Sequence, residues 1–340
     1  MIRLGIISLQ HPHSRGNHIP ALKYMKDRIT VSAIFDEDKE FAAPWVEMFG
    51  AKYYATRDEL LADPEIDAVL ITSTNDHHAE DAIAAANAGK DIFGDKPVII
   101  DTKDGQCLID AVKANNVKYM TTFPVRFNEA VLETKRAIEA GEFGQILAVV
   151  GTNHGSMYEP GCPDWVKDPA KNGGGCIIDH TVHVADIMRW FTGQEFATVR
   201  AEARHALHPD IVAEDIAVMH GTMTGGTLFQ IDASWSRRPE NPQWGDVTIR
   251  VVGEKRTAWL DIYNNQRLEM YIDDQLEMHY PNLVAKEHGD IFDDYIDACE
   301  KGTPMINAGV VDGVRAVELA AAAYESLEKG ETVEVKRCQG

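Results

Sequence analysis

Two side chains that could share one catalytic site lie four residues apart, directly after a run of three glycines. Asp179 and His183 follow Gly173–Gly175, and at this spacing both would occupy one face of a helix near its N-terminus. Histidine titrates near neutrality and a neighbouring carboxylate can orient its ring, so the pair suits removal of a proton from a hydroxyl group. The alternative is structural, with an aspartate that caps the helix and a packed histidine.

Histidines recur along the chain and raise the question of a metal site, because neutral imidazoles are common ligands. His180 and His183 are three residues apart and could share a helix face, but no pair shows an established ligand spacing. We therefore expect no bound metal. The histidines considered are His11, His13, His77, His78, His180 and His183.

Indole and guanidinium groups could line a sugar pocket, since sugar faces stack on indoles and arginine donates planar hydrogen bonds. For each of them alone, packing or a surface role is an equal alternative. The candidates are Trp165, Arg126, Trp235, Arg237 and Arg238.

The first third of the chain alternates short apolar runs with helical patterns. Strands are predicted at 3–7, 30–35, 68–71, 91–93 and 118–121, and helices at 78–88 and 102–115, with Thr102 as a cap. Such alternation implies right-handed crossovers and a doubly wound parallel sheet, an α/β Rossmann domain. We assign residues 1–122 to it.

Beyond residue 122 the pattern changes to that of an α+β domain, residues 123–340. Alternating runs separated by glycine-rich turns are typical of a large, mostly antiparallel open sheet. Its strands are predicted at 146–152, 198–205, 212–221, 227–235, 247–252 and 257–261, and helices at 128–140, 179–191, 290–300 and 314–329.

Lys96 and Asp36 each follow a predicted strand, at the edge where doubly wound sheets bind ligands. The ammonium group of Lys96 can donate to a substrate oxygen and stabilise the negative charge that develops there. The carboxylate of Asp36 can accept hydrogen bonds from the adenosine ribose of a dinucleotide and repel a 2′-phosphate, which favours NAD over NADP. The alternatives are a solvated lysine and a polar helix start.

Charge and cysteine usage exclude several classes of protein. The net charge of -21, from 54 acidic and 33 basic residues, repels nucleic acid and anionic membranes. The five cysteines are scattered and form no CxxC pair, which favours a reducing, cytoplasmic location. A strand begins close to the first methionine and no apolar stretch could span a bilayer, so we expect neither a leader nor a membrane anchor.

Three blocks in order along the chain resemble the Gfo/Idh/MocA family of glucose-fructose oxidoreductases and inositol dehydrogenases. They are Thr72–His78 with Ala88–Pro97, Arg126–Asn128, and Gly173–Asp186. The first is similar to the family's strand-end Asn and His with its Glu-Lys-Pro signature, and the third to the family's catalytic Gly, Asp and His block. The resemblance covers nearly the whole chain. It implies an NAD-dependent oxidoreductase acting on a hydroxyl of a sugar, polyol or sugar derivative, and a homo-oligomer, dimer or tetramer.

Two departures from the family pattern fall at the expected cofactor site. Ser8, Gln10 and His13 stand where the family has the glycines of its phosphate loop, and Asp95 replaces the usual glutamate before Lys96. The resemblance implies catalysis by Lys96, Asp179 and His183, and substrate contacts from these three with Arg126 and Trp165. Cofactor contacts are expected from Ser8, Gln10, His11, Asp36, Thr74, Asn75, His78, Asp95, Lys96 and Arg126.

Three functions agree with these residues. In the leading one, net oxidation, His183 takes the hydroxyl proton beside Asp179 and Lys96, and NAD accepts the hydride. Alternatively, a recycled NAD could serve a lyase, an epimerase or a glycoside-cleaving enzyme through a transient ketone. The third is a ligand-sensing regulator without catalysis, and the retention of Lys96, Asp179 and His183 argues against it.

Overall fold

The part of the chain that the structure describes contains two β-sheets, one of six strands and one of nine. The computed structural model describes residues 1–156, 162–238, 240–241, 243–263, 267–272, 277–279 and 290–340. Within these ranges, each helix is too short or too polar to cross a membrane.

The first sheet is parallel throughout. Its strands are β1 (Ile2–Ile7), β2 (Ile29–Phe35), β3 (Lys52–Tyr54), β4 (Ala68–Ile71), β5 (Asp91–Gly94) and β6 (Tyr119–Thr121). Their order, β3-β2-β1-β4-β5-β6, is that of the dinucleotide-binding Rossmann fold and confirms the predicted doubly wound sheet. The sequence predicts five of these strands and misses β3, which is too short to show a periodic pattern.

Helices connect these strands on both faces. They are α1 (Ile19–Tyr24), preceded by a π-helical turn at Ser14–His18, α2 (Lys39–Phe49), α3 (Arg57–Leu61), α4 (His78–Asn87) and α5 (Lys103–Asn115). Asp38 caps α2 by accepting from the backbone N–H of Phe41 at 2.9 Å. Thr102 stands at the N-cap of α5, but its side chain makes no cap hydrogen bond, so the predicted capping role is wrong.

The second sheet is mixed and mostly antiparallel. Its strands are β7 (Ile146–Gly155), β8 (Phe196–Arg204), β9 (Ile216–Met223), β10 (Leu228–Ser234), β11 (Gly245–Gly253), β12 (Arg256–Asp261), β13 (Arg267–Ile272), β14 (Glu277–His279) and β15 (Val333–Glu334). Their order is β14-β13-β12-β11-β7-β10-β9-β8-β15, and β7 and β10 run parallel.

One predicted strand of this sheet begins later than the sequence indicates. The alternation from 212 to 221 predicts a strand, yet β9 starts at Ile216. The carboxylate of Asp215 accepts hydrogen bonds from the backbone N–H groups of Ala206, Leu207 and His208, at 2.6–2.9 Å. This local hydrogen bonding replaces strand pairing just before β9.

The helices of the second half are α6 (Glu129–Glu139), α7 (Pro169–Asn172), α8 (Cys176–Thr192), α9 (Asp290–Lys301) and α10 (Val310–Lys329). Both α8 and α10 pack against strands of the nine-stranded sheet and against each other. Helix α8 begins before the predicted Asp179, because the carboxylate of Glu214 accepts from the backbone N–H groups of Gly175 and Ile177.

Helix α9 returns to the first sheet. Its residues Phe292, Tyr295 and Ile296 are buried in one apolar cluster with Leu4 and Phe93 of the parallel strands. Residues of α9 therefore complete the apolar core of the first sheet. The division of the chain into two domains after residue 122 stays a prediction.

Candidate active site

Lys96 and Asp179 meet where the two halves of the chain face each other. Lys96 follows β5, and its Nζ lies 2.5 Å from Oδ1 of Asp179 in the first turn of α8. The other carboxylate oxygen of Asp179 accepts from Nε1 of Trp235 at 2.9 Å and lies 3.3 Å from Nε2 of His180. Burial alone would raise the pKa of Asp179, but Lys96 and His180 outweigh it and hold that pKa far below its ordinary value. Asp179 is therefore an anion that neutralises Lys96.

A cavity of about 930 Å³ opens beside this ion pair. Lys96, Asp179, His180 and His183 line one side, and the segment from His11 to His18 lines another. Its volume falls within the range of small-molecule sites. Two indoles, those of Trp165 and Trp244, also line it, and Nε1 of Trp165 donates to the carbonyl oxygen of Gln10 at 3.4 Å.

His183 lies on the cavity wall one turn after Asp179. Its ring packs edge-to-face on Phe123, with the ring centroids 5.6 Å apart. Burial, aided by the charge of Lys96, holds the pKa of His183 well below its ordinary value, so the imidazole is neutral at pH 7 and can accept a proton.

The predicted contact between Asp179 and His183 is not formed. The carboxylate of Asp179 is occupied by Lys96, Trp235 and His180, and Nδ1 of His183 is buried without a hydrogen-bond partner among the described residues. The spacing places both side chains near one cavity, as predicted, but Asp179 holds the lysine instead of the imidazole.

Three histidines from the segment after β1 surround one buried carboxylate. Nδ1 of His11, Nδ1 of His13 and Nε2 of His18 lie 3.4, 3.1 and 3.0 Å from carboxylate oxygens of Asp95. Asp95 follows β5 and is fully buried. The sequence shows no ligand spacing among these histidines, because the residue that joins them comes from a strand 77 positions beyond His18.

The loop after β1 uses its backbone donors within the protein. In dinucleotide-binding folds the N–H groups of this loop and of the following helix face the phosphates. Here those of Ser8, Leu9, Gln10, His11, His13 and Ser14 all donate to protein acceptors, at 2.7–3.3 Å, and Pro12 has none. Ser8 occupies the left-handed region at a φ of 64°, a conformation that favours glycine. The N–H groups of this loop thus already have acceptors within the chain.

Asp36 holds that loop in place. Its carboxylate is fully buried and accepts from the Ser8 hydroxyl, the backbone N–H groups of Leu9 and Asp38, and the Gln10 amide, at 2.7–3.1 Å. Both oxygens of Asp36 therefore bind the loop, and its predicted role as a ribose acceptor stays a prediction.

The guanidinium group of Arg126 likewise makes contacts within the protein. It is buried, donates to both carboxylate oxygens of Asp186 at 2.6 and 2.7 Å, and lies over the ring of Trp190. It does not belong to the cavity lining. Its side chain is thus engaged in an ion pair within the second half of the chain, and its predicted contacts with cofactor and substrate stay predictions.

The remaining predicted cofactor residues lie near the strand ends, outside the cavity lining. Asn75 donates to the side chain of Asn172 at 2.9 Å, and the ring nitrogens of His78 lie 2.7 and 3.1 Å from the carbonyl oxygens of Pro97 and Ser73. The hydroxyl of Thr74 donates to Asp76. Their contacts with a cofactor stay predictions.

Of the indoles and arginines predicted to line a sugar pocket, some line the cavity and others make contacts elsewhere. Trp165 lines the cavity, whereas Trp235 is buried and supports Asp179. Arg237 pairs with Asp246, and Arg238 is exposed. Trp244 also lines the cavity. It was not predicted, because no recognisable sequence motif surrounds it.

Family profiles match most of the chain. The profile described as "Oxidoreductase family, NAD-binding Rossmann fold" matches residues 12–123, and "GFO/IDH/MocA C-terminal domain" matches residues 131–259. The chain belongs to the Gfo/Idh/MocA family. This confirms the resemblance seen in the three sequence blocks, and the six-stranded sheet is the NAD-binding Rossmann fold of this family.

Relatives of this Gfo/Idh/MocA protein include sugar and polyol dehydrogenases. Myo-inositol 2-dehydrogenase of Thermotoga maritima is 28% identical over the full length of both chains. Inositol 2-dehydrogenase of Salmonella typhimurium is 27% identical over 289 residues, which are 83% of this chain and 81% of the relative. A solved levoglucosan dehydrogenase with NADH and levoglucosan shares the fold, with a TM-score of 0.85 at 23% identity over 99% of this chain and 100% of that one. The chain is thus an oxidoreductase of an NAD-dependent family that acts on CH–OH groups.

Proposed function

We propose that this protein oxidises a secondary hydroxyl group of a sugar, polyol or sugar derivative with NAD, and that His183 is the base. The observation that carries the proposal is a neutral imidazole on the wall of a cavity that also contains the Lys96–Asp179 ion pair. The relatives named for inositol and levoglucosan support the same substrate class.

His183, Lys96 and Asp179 have different roles in the proposed proton transfer. His183 accepts the hydroxyl proton, since its lone pair is free at neutral pH. The ammonium of Lys96 donates to the same oxygen and stabilises the negative charge that builds up on it. Asp179 pairs with Lys96 and holds its ammonium group at the cavity, and Trp235 donates a hydrogen bond to Asp179. In this family NAD supplies the hydride acceptor.

The indoles of Trp165 and Trp244 support a sugar-like substrate, because the apolar face of a sugar ring packs on an indole. Both side chains come from the second half of the chain, opposite the strand ends of the first sheet. A ring held between them would present its hydroxyl groups to Lys96 and His183.

Two further properties belong to the proposal. The five cysteines carry no disulfide, which supports a reducing, cytoplasmic location. We also propose a dimer or tetramer, formed through the face of the nine-stranded sheet that α8 and α10 leave uncovered.

Replacement of His183 tests the base. His183→Ala should lower kcat by roughly 10²- to 10⁴-fold, with little change in the Kd of NAD measured by calorimetry. His205→Ala, an exposed histidine away from the cavity, is the matched control and should keep wild-type turnover. If His183→Ala turns over normally while His180→Ala is inactive, the base is His180.

A screen of sugars, polyols and sugar acids with NAD identifies the substrate and the reaction. Net oxidation forms reduced NAD in proportion to product, whereas internal recycling forms product without accumulation of reduced NAD. Absence of both NAD binding and turnover across the screen would contradict the proposal and favour a ligand-sensing role.

A further inference from the structure

The cluster of His11, His13, His18 and Asp95 has no part in the proton chemistry proposed above. One potential ligand atom from each of His11, His13 and Asp95 lies within 4.8 Å of the other two. Two imidazole nitrogens and one carboxylate oxygen are a common donor set for divalent first-row transition metals.

The separations within the cluster suit one shared ion, which would displace the hydrogen bond that Nδ1 of His11 accepts from the backbone N–H of His13. Two ligands that each lie about 2.0–2.1 Å from a tetrahedral metal are separated by roughly 3.3 Å. Nδ1 of His13 lies 3.1 Å from Oδ1 of Asp95, and Nδ1 of His11 lies 3.4 Å from Oδ2. Nε2 of His18 lies 3.0 Å from Oδ2 and can orient the carboxylate as a supporting residue does in metal sites.

The surroundings suit a bound cation with open coordination positions. Asp95 is fully buried behind the histidines, whereas His11, His13 and His18 line the cavity. The nearby positive charge of Lys96 is paired with Asp179. A cation in the cluster would therefore face the cavity, where water or an oxygen atom of a ligand can reach it.

We propose that His11, His13 and Asp95 bind one divalent transition-metal ion of the zinc or manganese class, with His18 orienting Asp95. This proposal differs from the prediction, made from the sequence, that the chain binds no metal. Metal binding at the cluster does not depend on the reaction proposed above, and it can be measured without substrate or NAD.

Metal titration of the full chain tests the site. Protein purified without metal-affinity steps is stripped with a chelator, dialysed, and titrated with Zn²⁺ and with Mn²⁺ by calorimetry. We expect one ion per chain for at least one of the two metals, and a loss of affinity of about 10- to 100-fold or more in His13→Ala. His13 is partly exposed, so this variant should keep its fold, which circular dichroism checks. His205→Ala is the control and should bind like the wild type.

X-ray absorption of the metal-loaded wild type provides evidence that does not depend on any variant. We expect nitrogen and oxygen scatterers at about 2.0–2.1 Å for zinc, including two imidazoles. Absence of stoichiometric binding of both metals, a metal shell without imidazole, or wild-type affinity in His13→Ala would each overturn the proposal.

Discussion

At the scale of single residues, Asp179 acts through Lys96, and Trp235 is the residue that holds it. The indole N–H of Trp235 is a buried donor to the carboxylate oxygen that Lys96 does not use. Trp235→Phe removes this charge-assisted hydrogen bond and keeps most of the ring volume, so Asp179 and Lys96 should lose alignment.

We expect Trp235→Phe to lower kcat by roughly tenfold with a smaller change in KM, because the lost hydrogen bond is worth more than 1 kcal/mol. Steady-state kinetics measure kcat and KM separately. Trp259→Phe, an exposed indole on the nine-stranded sheet, is the control. An effect on KM alone would show that Trp235 acts on substrate binding and does not position Asp179.

Residue spacing predicted part of the candidate active site. It brought Asp179 and His183 to one cavity, because a helix places residues i and i+4 on the same face. It could not predict which distant side chains reach the carboxylate, and Lys96 and Trp235 do so from 83 and 56 residues away. The ion pair of Arg126 was not predicted for the same reason, since its partner Asp186 lies 60 residues further along the chain.

At the scale of elements, the turn before α8 depends on glycine. Gly174 has a φ of 147°, and a Cβ atom there would lie 2.0 Å from the hydroxyl oxygen of Tyr324. Gly174→Ala should lower the free energy of unfolding by roughly 3 kcal/mol, because backbone strain and overlap add.

Urea denaturation measures this change. The control is Gly309→Ala at the start of α10, where a Cβ atom meets nothing within 4 Å and the φ of -80° suits any residue. Equal stability of the two variants would show that the turn can rearrange around an alanine.

Strand β7 carries a pH-dependent contact between its neighbours. His154 lies between Asp232 of β10, at 3.2 Å, and Asp246 of β11, at 3.1 Å, and Arg237 also pairs with Asp246. Hydrogen bonds that the imidazolium donates to these two carboxylates raise the pKa of His154 from 6.5 to about 9. Because the pKa is raised on folding, the charged histidine stabilises the sheet fully below pH 6.5 and loses this contribution as the pH rises through 9.

We expect the wild type to exceed His154→Gln in free energy of unfolding by about 2 kcal/mol at about pH 6, and by little at about pH 10. Urea denaturation at both pH values gives the comparison, with His205→Gln as an exposed control. A difference between wild type and His154→Gln that does not change with pH would show that His154 stabilises β7 by packing.

Periodicity predicted elements better than their ends. The strands of both sheets and the long helices are periodic over many residues. Their ends depend on single acceptors that come from other parts of the chain, such as the carboxylate of Glu214 at the start of α8. The loop after β1 is a further case, because the buried carboxylate of Asp36, directly after β2, accepts hydrogen bonds from it.

At the scale of the whole molecule, the candidate active site lies where the two halves meet. Asn75 bonds to Asn172, Lys96 pairs with Asp179, and Trp165 donates to the carbonyl oxygen of Gln10. The helix α9 adds apolar packing beneath the first sheet. Local sequence patterns do not report such pairings, so the cavity and the histidine cluster inside it became visible only in the folded chain.

The uncovered face of the nine-stranded sheet leads to the prediction about assembly. Leu228 on β10 and Trp259 on β12 are 57% and 41% exposed there, while alternate residues of the same strands are buried. Helix α8 packs on β10 and helix α6 packs on β12. Two copies that pack these faces together would remove both apolar side chains from water.

We expect light scattering after size-exclusion chromatography to give the mass of a dimer or tetramer, and Leu228→Glu with Trp259→Glu to shift it towards the monomer. Leu207→Glu, at a similarly exposed leucine in a loop, is the control and should leave the mass unchanged. A monomeric wild type, or a double variant with unchanged mass, would place any assembly on another surface.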